Sequence, residues 1–143
     1  MIIHPRLPHW RQRLDAWVAK SVAMPFAWGA HDCGLNAGSA AEAQIGIDFA
    51  DRFRGKYSTP EGGLKLLRKA GFANHADFTA SVFPEIPVAF AQIGDIVAVE
   101  IDGAITLMIV AGHRLIGPMP TMAGSVALTR GFRAFAVGRE PAL

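Results

Sequence analysis

The chain has 143 residues, 51% of them hydrophobic and 18% charged. The length suits a single domain over residues 1–143, and the low charged share excludes a disordered chain and allows a packed core. Lys and Arg number 14 against 12 Asp and Glu, with no basic run of the kind that tracks nucleic acid, so no nucleic-acid partner is expected.

Residues 9–22 read as an amphipathic helix, with Trp10, Leu14, Trp17 and Ser21 or Val22 on one side. Pro25 ends it, and residues 24–31 form a loop rich in aromatics and Gly. Asp32 is a good N-cap for a second helix over residues 33–45, which Gly46 stops. Its small residues, Gly34, Ala37, Gly38, Ala40 and Ala41, permit close packing. A connector with Phe49, Phe53 and Tyr57 leads to a third helix, opened by Pro60 and Glu61 and stopped at Gly71. Gly62 and Gly63 inside it are not a phosphate loop, because no Lys-Ser or Lys-Thr follows. A short helix is expected over residues 76–83, after which Pro84 and Pro87 break the chain.

From Ile93 the period changes to that of strands. Residues 96–101 and 104–111 form a hairpin about Asp102-Gly103, with further strands over 114–116, 126–129 and 132–137. Helices in the first half packed on a mainly antiparallel sheet from the second make an α+β fold. The apolar loop over residues 119–124 is either a contact patch or a cover over the sheet. A mean hydropathy of +0.26 also points to apolar surface that meets a partner.

Cys33 is the only cysteine. It cannot close an internal disulfide or build a Cys-based zinc site, so neither a metal nor a cofactor is expected. A lone Cys is a small buried hydrophobe or a reactive thiol. Its place just after a capping Asp favours the second. Unsatisfied N–H groups at a helix N-terminus lower a thiol's pKa and favour the nucleophilic thiolate. Cysteine hydrolases present their nucleophile in this way, with the base arriving from a facing strand. No apolar stretch reaches the roughly 18 residues of a membrane span. No signal-peptide layout opens the chain, so synthesis and folding in a cytoplasm are expected.

The run Phe26-Ala-Trp28-Gly29-Ala-His31-Asp32-Cys33-Gly34-Leu35 resembles the nucleophile motif of the NlpC-type cell-wall cysteine peptidases. Gly94-Asp95-Ile96-Val97 resembles that family's Gly-Asp-Leu-Val strand opening, and Leu107-Met108-Ile109-Val110-Ala111-Gly112 its next strand. The likeness is greater to a branch encoded in tailed-phage tail modules, which has a Trp-Gly-x-x-Asp-Cys start and a Tyr in the connector. The resemblance spans roughly residues 14–137 and implies a papain-like fold with Cys33 as nucleophile. Trp28 and Asp32 would then border the binding groove, although packing and capping are the plainer roles for them.

Two departures qualify that implication. Aligned on Ile109 and Gly112, the family's base histidine falls at Thr106, whose hydroxyl cannot take a thiol proton near neutral pH. The residue that orients the histidine falls near Gly117, which has no side chain. His31, two residues before Cys33, and His113, past the strand, are the substitute bases. His4, His9 and His75 read as surface or hydrogen-bonded histidines.

The resemblance therefore implies a virion protein of the phage tail tip or hub, assembled in the host cytoplasm with other tail proteins, its hydrolase machinery inactive. The alternatives are an active cell-wall peptidase or amidase acting on peptidoglycan peptides through Cys33 during genome entry, and a non-catalytic peptide-binding module.

Overall fold

A computed structural model describes residues 1–120 and 124–141. Four helices precede most of the sheet: α1 (Trp10–Ser21), α2 (Cys33–Ile45), α3 (Pro60–Lys69) and α4 (His75–Val82). Six strands follow: β1 (Glu85–Ile86), β2 (Ile96–Ile101), β3 (Ala104–Ala111), β4 (Arg114–Ile116), β5 (Ser125–Ala127) and β6 (Arg133–Phe135). They form one antiparallel sheet in the order β1-β6-β2-β3-β4-β5. The chain is therefore α+β, with the helices it predicts. Strand β1 lies where Pro84 and Pro87 suggest a break. It survives because a short edge strand tolerates flanking prolines. The expected strand over 126–129 is cut to three residues and gives way to a 3-10 turn at Leu128–Arg130. Within the apolar loop, residues 121–123 lie outside the described residues, while Met119 is buried.

Both faces of the sheet are covered. Ile96, Ala98, Leu107, Ile109, Phe135 and Val137 pack on Leu14, Ala37, Ala40, Ala41 and Ala76 from the helices. Val97, Val99, Met108, Val110, Leu115 and Ala134 make a second cluster on the other side. Strand side chains alternate between faces, so odd positions of β3 meet the helices and even positions turn away. The alanines of α2 bring its backbone close to β3. On α1, Ser21 is buried and Val22 exposed, so the serine completes the helix's inner face.

Local chemistry sets the helix ends. Asp32 caps α2 by accepting from Leu35 N at 3.0 Å, and a cap of this kind contributes about 1 kcal/mol. Asn74 caps α4 in the same way, accepting from Asp77 N at 2.9 Å, which starts α4 at His75. The β2–β3 hairpin turns on Asp102 and Gly103 at φ 51° and 79°, the positive pair that a two-residue turn of this hand requires. Among the described residues, no helix is long and apolar enough to cross a membrane.

Candidate functional site

Cys33 is the first residue of α2 and is half-buried. Its sulfur lies 4.0 Å from Nε2 of His75, the first residue of α4. Two helix N-termini thus converge, and they do so at an edge of β3.

The sheet leaves that edge free for a physical reason. Val110 directs its N–H and C=O at Asp95 and Gly94 on the β2 side. Antiparallel residues alternate in the direction of these groups, so Ile105 and Leu107 direct theirs away from β2. Strand β4 pairs only with residues 109 to 111. Two places further along the register, Pro118 would face Leu107, and proline has no N–H to continue the ladder. The released groups serve the site. The Leu107 backbone hydrogen-bonds the Cys33 sulfur and favours thiolate, as an N–H donor does. The Ile105 backbone hydrogen-bonds His75 and favours imidazolium, as a carbonyl acceptor does.

The charge state differs from the one that the helix position predicts. Burial pushes the Cys33 thiol up, to about 11. The Leu107 backbone opposes this, the neighbouring Asp32 carboxylate adds to it, and the N–H groups of Gly34 and Cys33 oppose it. A helix N-terminus offers partial charges, and here they do not offset the loss of water around sulfur. His75 is held below the ordinary imidazole range, chiefly by burial. The resting pair is a neutral thiol beside a neutral imidazole.

Asp32 is buried and fully engaged. Besides capping α2 it accepts from Gly29 N at 3.0 Å, and the Tyr57 hydroxyl donates to its Oδ2. Trp28 stands at the tip of the loop closed by the Ala27–His31 bridge, 36% exposed and edge-on to Phe26 at 4.8 Å between ring centroids.

The other sequence candidates do not meet the sulfur. His31 is 3% exposed, and its Nε2 lies 3.4 Å from Ser21 Oγ. Ser21 donates to Asn36 Oδ1 at 2.7 Å, and Trp17 Nε1 donates to the same oxygen at 3.0 Å. His31 thus belongs to a buried network that ties the loop to α1 and α2. His113 is exposed in the β3–β4 turn, past the end of β3 remote from Leu107. Thr106 pairs with Val99, a member of the cluster on the face away from the helices. The strand backbone beside the sulfur is that of Leu107, one residue on, whose side chain faces the helices. Gly117 lies across from Met108 with its N–H on Gly124 O, and the group that meets the His75 imidazole is the Ile105 backbone.

His75 is the site residue that the motif spacing misses, whereas Tyr57 is the connector tyrosine that the resemblance includes. The resemblance seeks its base on a strand and so passes over a histidine that opens a helix. The one sequence signal of His75 is its place after Asn74, a second capped helix start like Asp32-Cys33. Among the described residues, no group of three His, Cys, Asp or Glu is placed to hold a metal ion.

The fold and site together define an α+β domain in which a cysteine and a histidine, each opening a helix, meet at a sheet edge. The chain belongs to a domain family of unknown function, DUF6950, whose model matches residues 5–137. No curated protein and no solved structure matches it.

Proposed function

We propose that this domain is a cysteine hydrolase with a papain-like, NlpC-type arrangement, in which Cys33 attacks a peptide amide and His75 is its general base. The observation that supports it is the 4.0 Å approach of His75 Nε2 to the Cys33 sulfur at a half-buried helix start. As the sulfur bonds to the substrate carbonyl carbon, the thiol proton passes to Nε2. The developing oxyanion meets N–H groups at the start of α2. With Nε2 facing Cys33, the ring's other nitrogen is left for the Ile105 carbonyl, which stabilises the imidazolium that forms. That imidazolium gives its proton to the departing amine. Water, deprotonated by His75, then releases the acid from the thioester and restores the thiol. The resemblance to the phage-tail branch supports peptidoglycan peptides as substrates, and the virion tail tip or hub, beside other tail proteins, as the place of action.

The test is single-turnover acylation by an activated peptide ester, followed by intact mass. The expected result is one acyl group on Cys33, formed much more slowly in His75→Ala and absent in Cys33→Ala. Equal acylation in wild type and His75→Ala would overturn the reading.

A second reading, a tail structural protein with an idle thiol, is favoured by the raised thiol pKa and by Phe90 and Phe132, 59% and 49% exposed. Its test is recovery of the chain in purified virions of the phage that encodes it, with the Cys33→Ala virion still infective.

A further inference from the structure

Tyr57 is packed with unusual care for a connector residue. Glycines make room for it on two sides. A Cβ on Gly29 would overlap the Tyr57 carbonyl, and a Cβ on Gly63 would come within 3.0 Å of the Tyr57 ring. A Cβ on Gly62 would meet the Tyr57 Cβ only in ordinary contact, at 3.4 Å. Gly63 in α3, costly to a helix, thus has a steric purpose. It lets the ring lie against the helix with its hydroxyl on Asp32 Oδ2. Gly55 N donates to Gly29 O at 2.9 Å and ties the connector to the same loop.

From this cradle we infer that Tyr57 is a positioning residue for Cys33, its hydroxyl fixing Asp32 and withdrawing the carboxylate's charge from the adjacent sulfur. Asp32 accepts three donors at the helix start, and its carboxylate beside the thiol opposes thiolate. A hydrogen bond from a neutral hydroxyl spreads that charge without adding a cation. The groups facing the sulfur are Asp32 on its own element, His75 on α4 and Tyr57 on the connector, while β3 contributes only the Leu107 backbone. Arg54 also acts on Tyr57, and its guanidinium is held by Asp48.

The inference deepens the hydrolase reading, but its test reads ionisation and not turnover, so each can fail alone. Tyr57 is the only tyrosine and Cys33 the only cysteine. Fluorotyrosine fed during expression therefore alters this one hydroxyl, and a 13C label on cysteine gives one Cβ resonance whose shift follows thiol ionisation. Fluorination makes the hydroxyl a stronger donor and is expected to lower the Cys33 titration midpoint. Tyr57→Phe, which keeps the ring, is expected to raise it. In Asp32→Asn, which retains a good cap, both effects are expected to vanish. An unmoved midpoint with fluorotyrosine, or shifts that persist in Asp32→Asn, would overturn the inference. The fluorotyrosine protein keeps the test decisive where Tyr57→Phe fails to fold.

Discussion

The sulfur of Cys33 and Nε2 of His75 stand 4.0 Å apart with neither group charged near neutral pH. A thiol pushed to about 11 has far less thiolate at pH 7.5 than free cysteine, although the thiolate it does form is the better nucleophile. The two effects leave iodoacetamide labelling of Cys33 roughly ten- to a hundredfold slower than that of free cysteine. Labelling rates at pH 7.5, folded and in denaturant, check this. Folded labelling as fast as unfolded would mean that Cys33 is an activated thiolate after all.

Thr106 lies on the face of β3 turned from the helices, so chemistry at that position does not reach Cys33. Thr106→Ala is expected to leave the labelling rate of Cys33 within twofold. Thr106→His is expected not to restore acylation to a His75→Ala protein. Recovery of acylation by that double variant would show that position 106 faces the sulfur.

These outcomes bear on what the sequence discloses. Helix starts were legible because caps are local. Asp32 accepts from the N–H three residues on, a pattern visible in one dimension, whereas the same pattern at Asn74 goes unused and the expected helix starts one residue late, at 76. The Asp102-Gly103 hairpin was legible for the same reason. The base was not. A motif alignment assigns a residue to a strand more firmly than to a face, since a shift of one residue exchanges the two faces of β3. His75 meets Cys33 across 42 residues because α4 packs on β3, a tertiary fact without a local signature. The thiol's charge differs from the helix-end expectation for a related reason: the helix N-terminus is local, whereas burial by β3 and α4 is not.

A buried histidine and a half-buried one make the fold acid-sensitive. His31 and His75 both have folded pKa values lowered below the ordinary 6.5, mainly by burial. Above that value both states are neutral and the full stability is present. As pH falls below about 6.5 the unfolded chain binds protons that the folded chain refuses, so stability is lost progressively down to the folded pKa values. The melting temperature is expected to be flat from pH 8 to 7 and to fall between pH 6.5 and 5. His31→Gln, which can still hydrogen-bond Ser21, is expected to flatten that fall. A melting temperature unchanged from pH 7.5 to 5 would contradict it.

The Gly94-Asp95 pair, read from sequence as a strand opening, predicts a strongly destabilising substitution. Gly94 sits at φ 92°, and any Cβ there would overlap the buried Gln44 amide. Asp95 is 0% exposed and accepts from Gln92 N at 2.8 Å and Val137 N at 3.1 Å, while Arg139 pairs with its Oδ2. One carboxylate thus fastens the start of β2 to the segment after β6. Asp95→Ala strands those N–H groups and leaves a largely buried guanidinium without its counter-ion. Breaking a buried pair from one side costs about 3–5 kcal/mol, a large part of the ~5–15 kcal/mol that holds a domain together. Asp95→Asn keeps an acceptor but loses the charge, and is expected to fall between the two. Urea unfolding of the three proteins measures the order. An Asp95→Ala loss below about 1 kcal/mol, the range of an exposed ion pair, would show that the carboxylate is solvated and that β2 is anchored elsewhere.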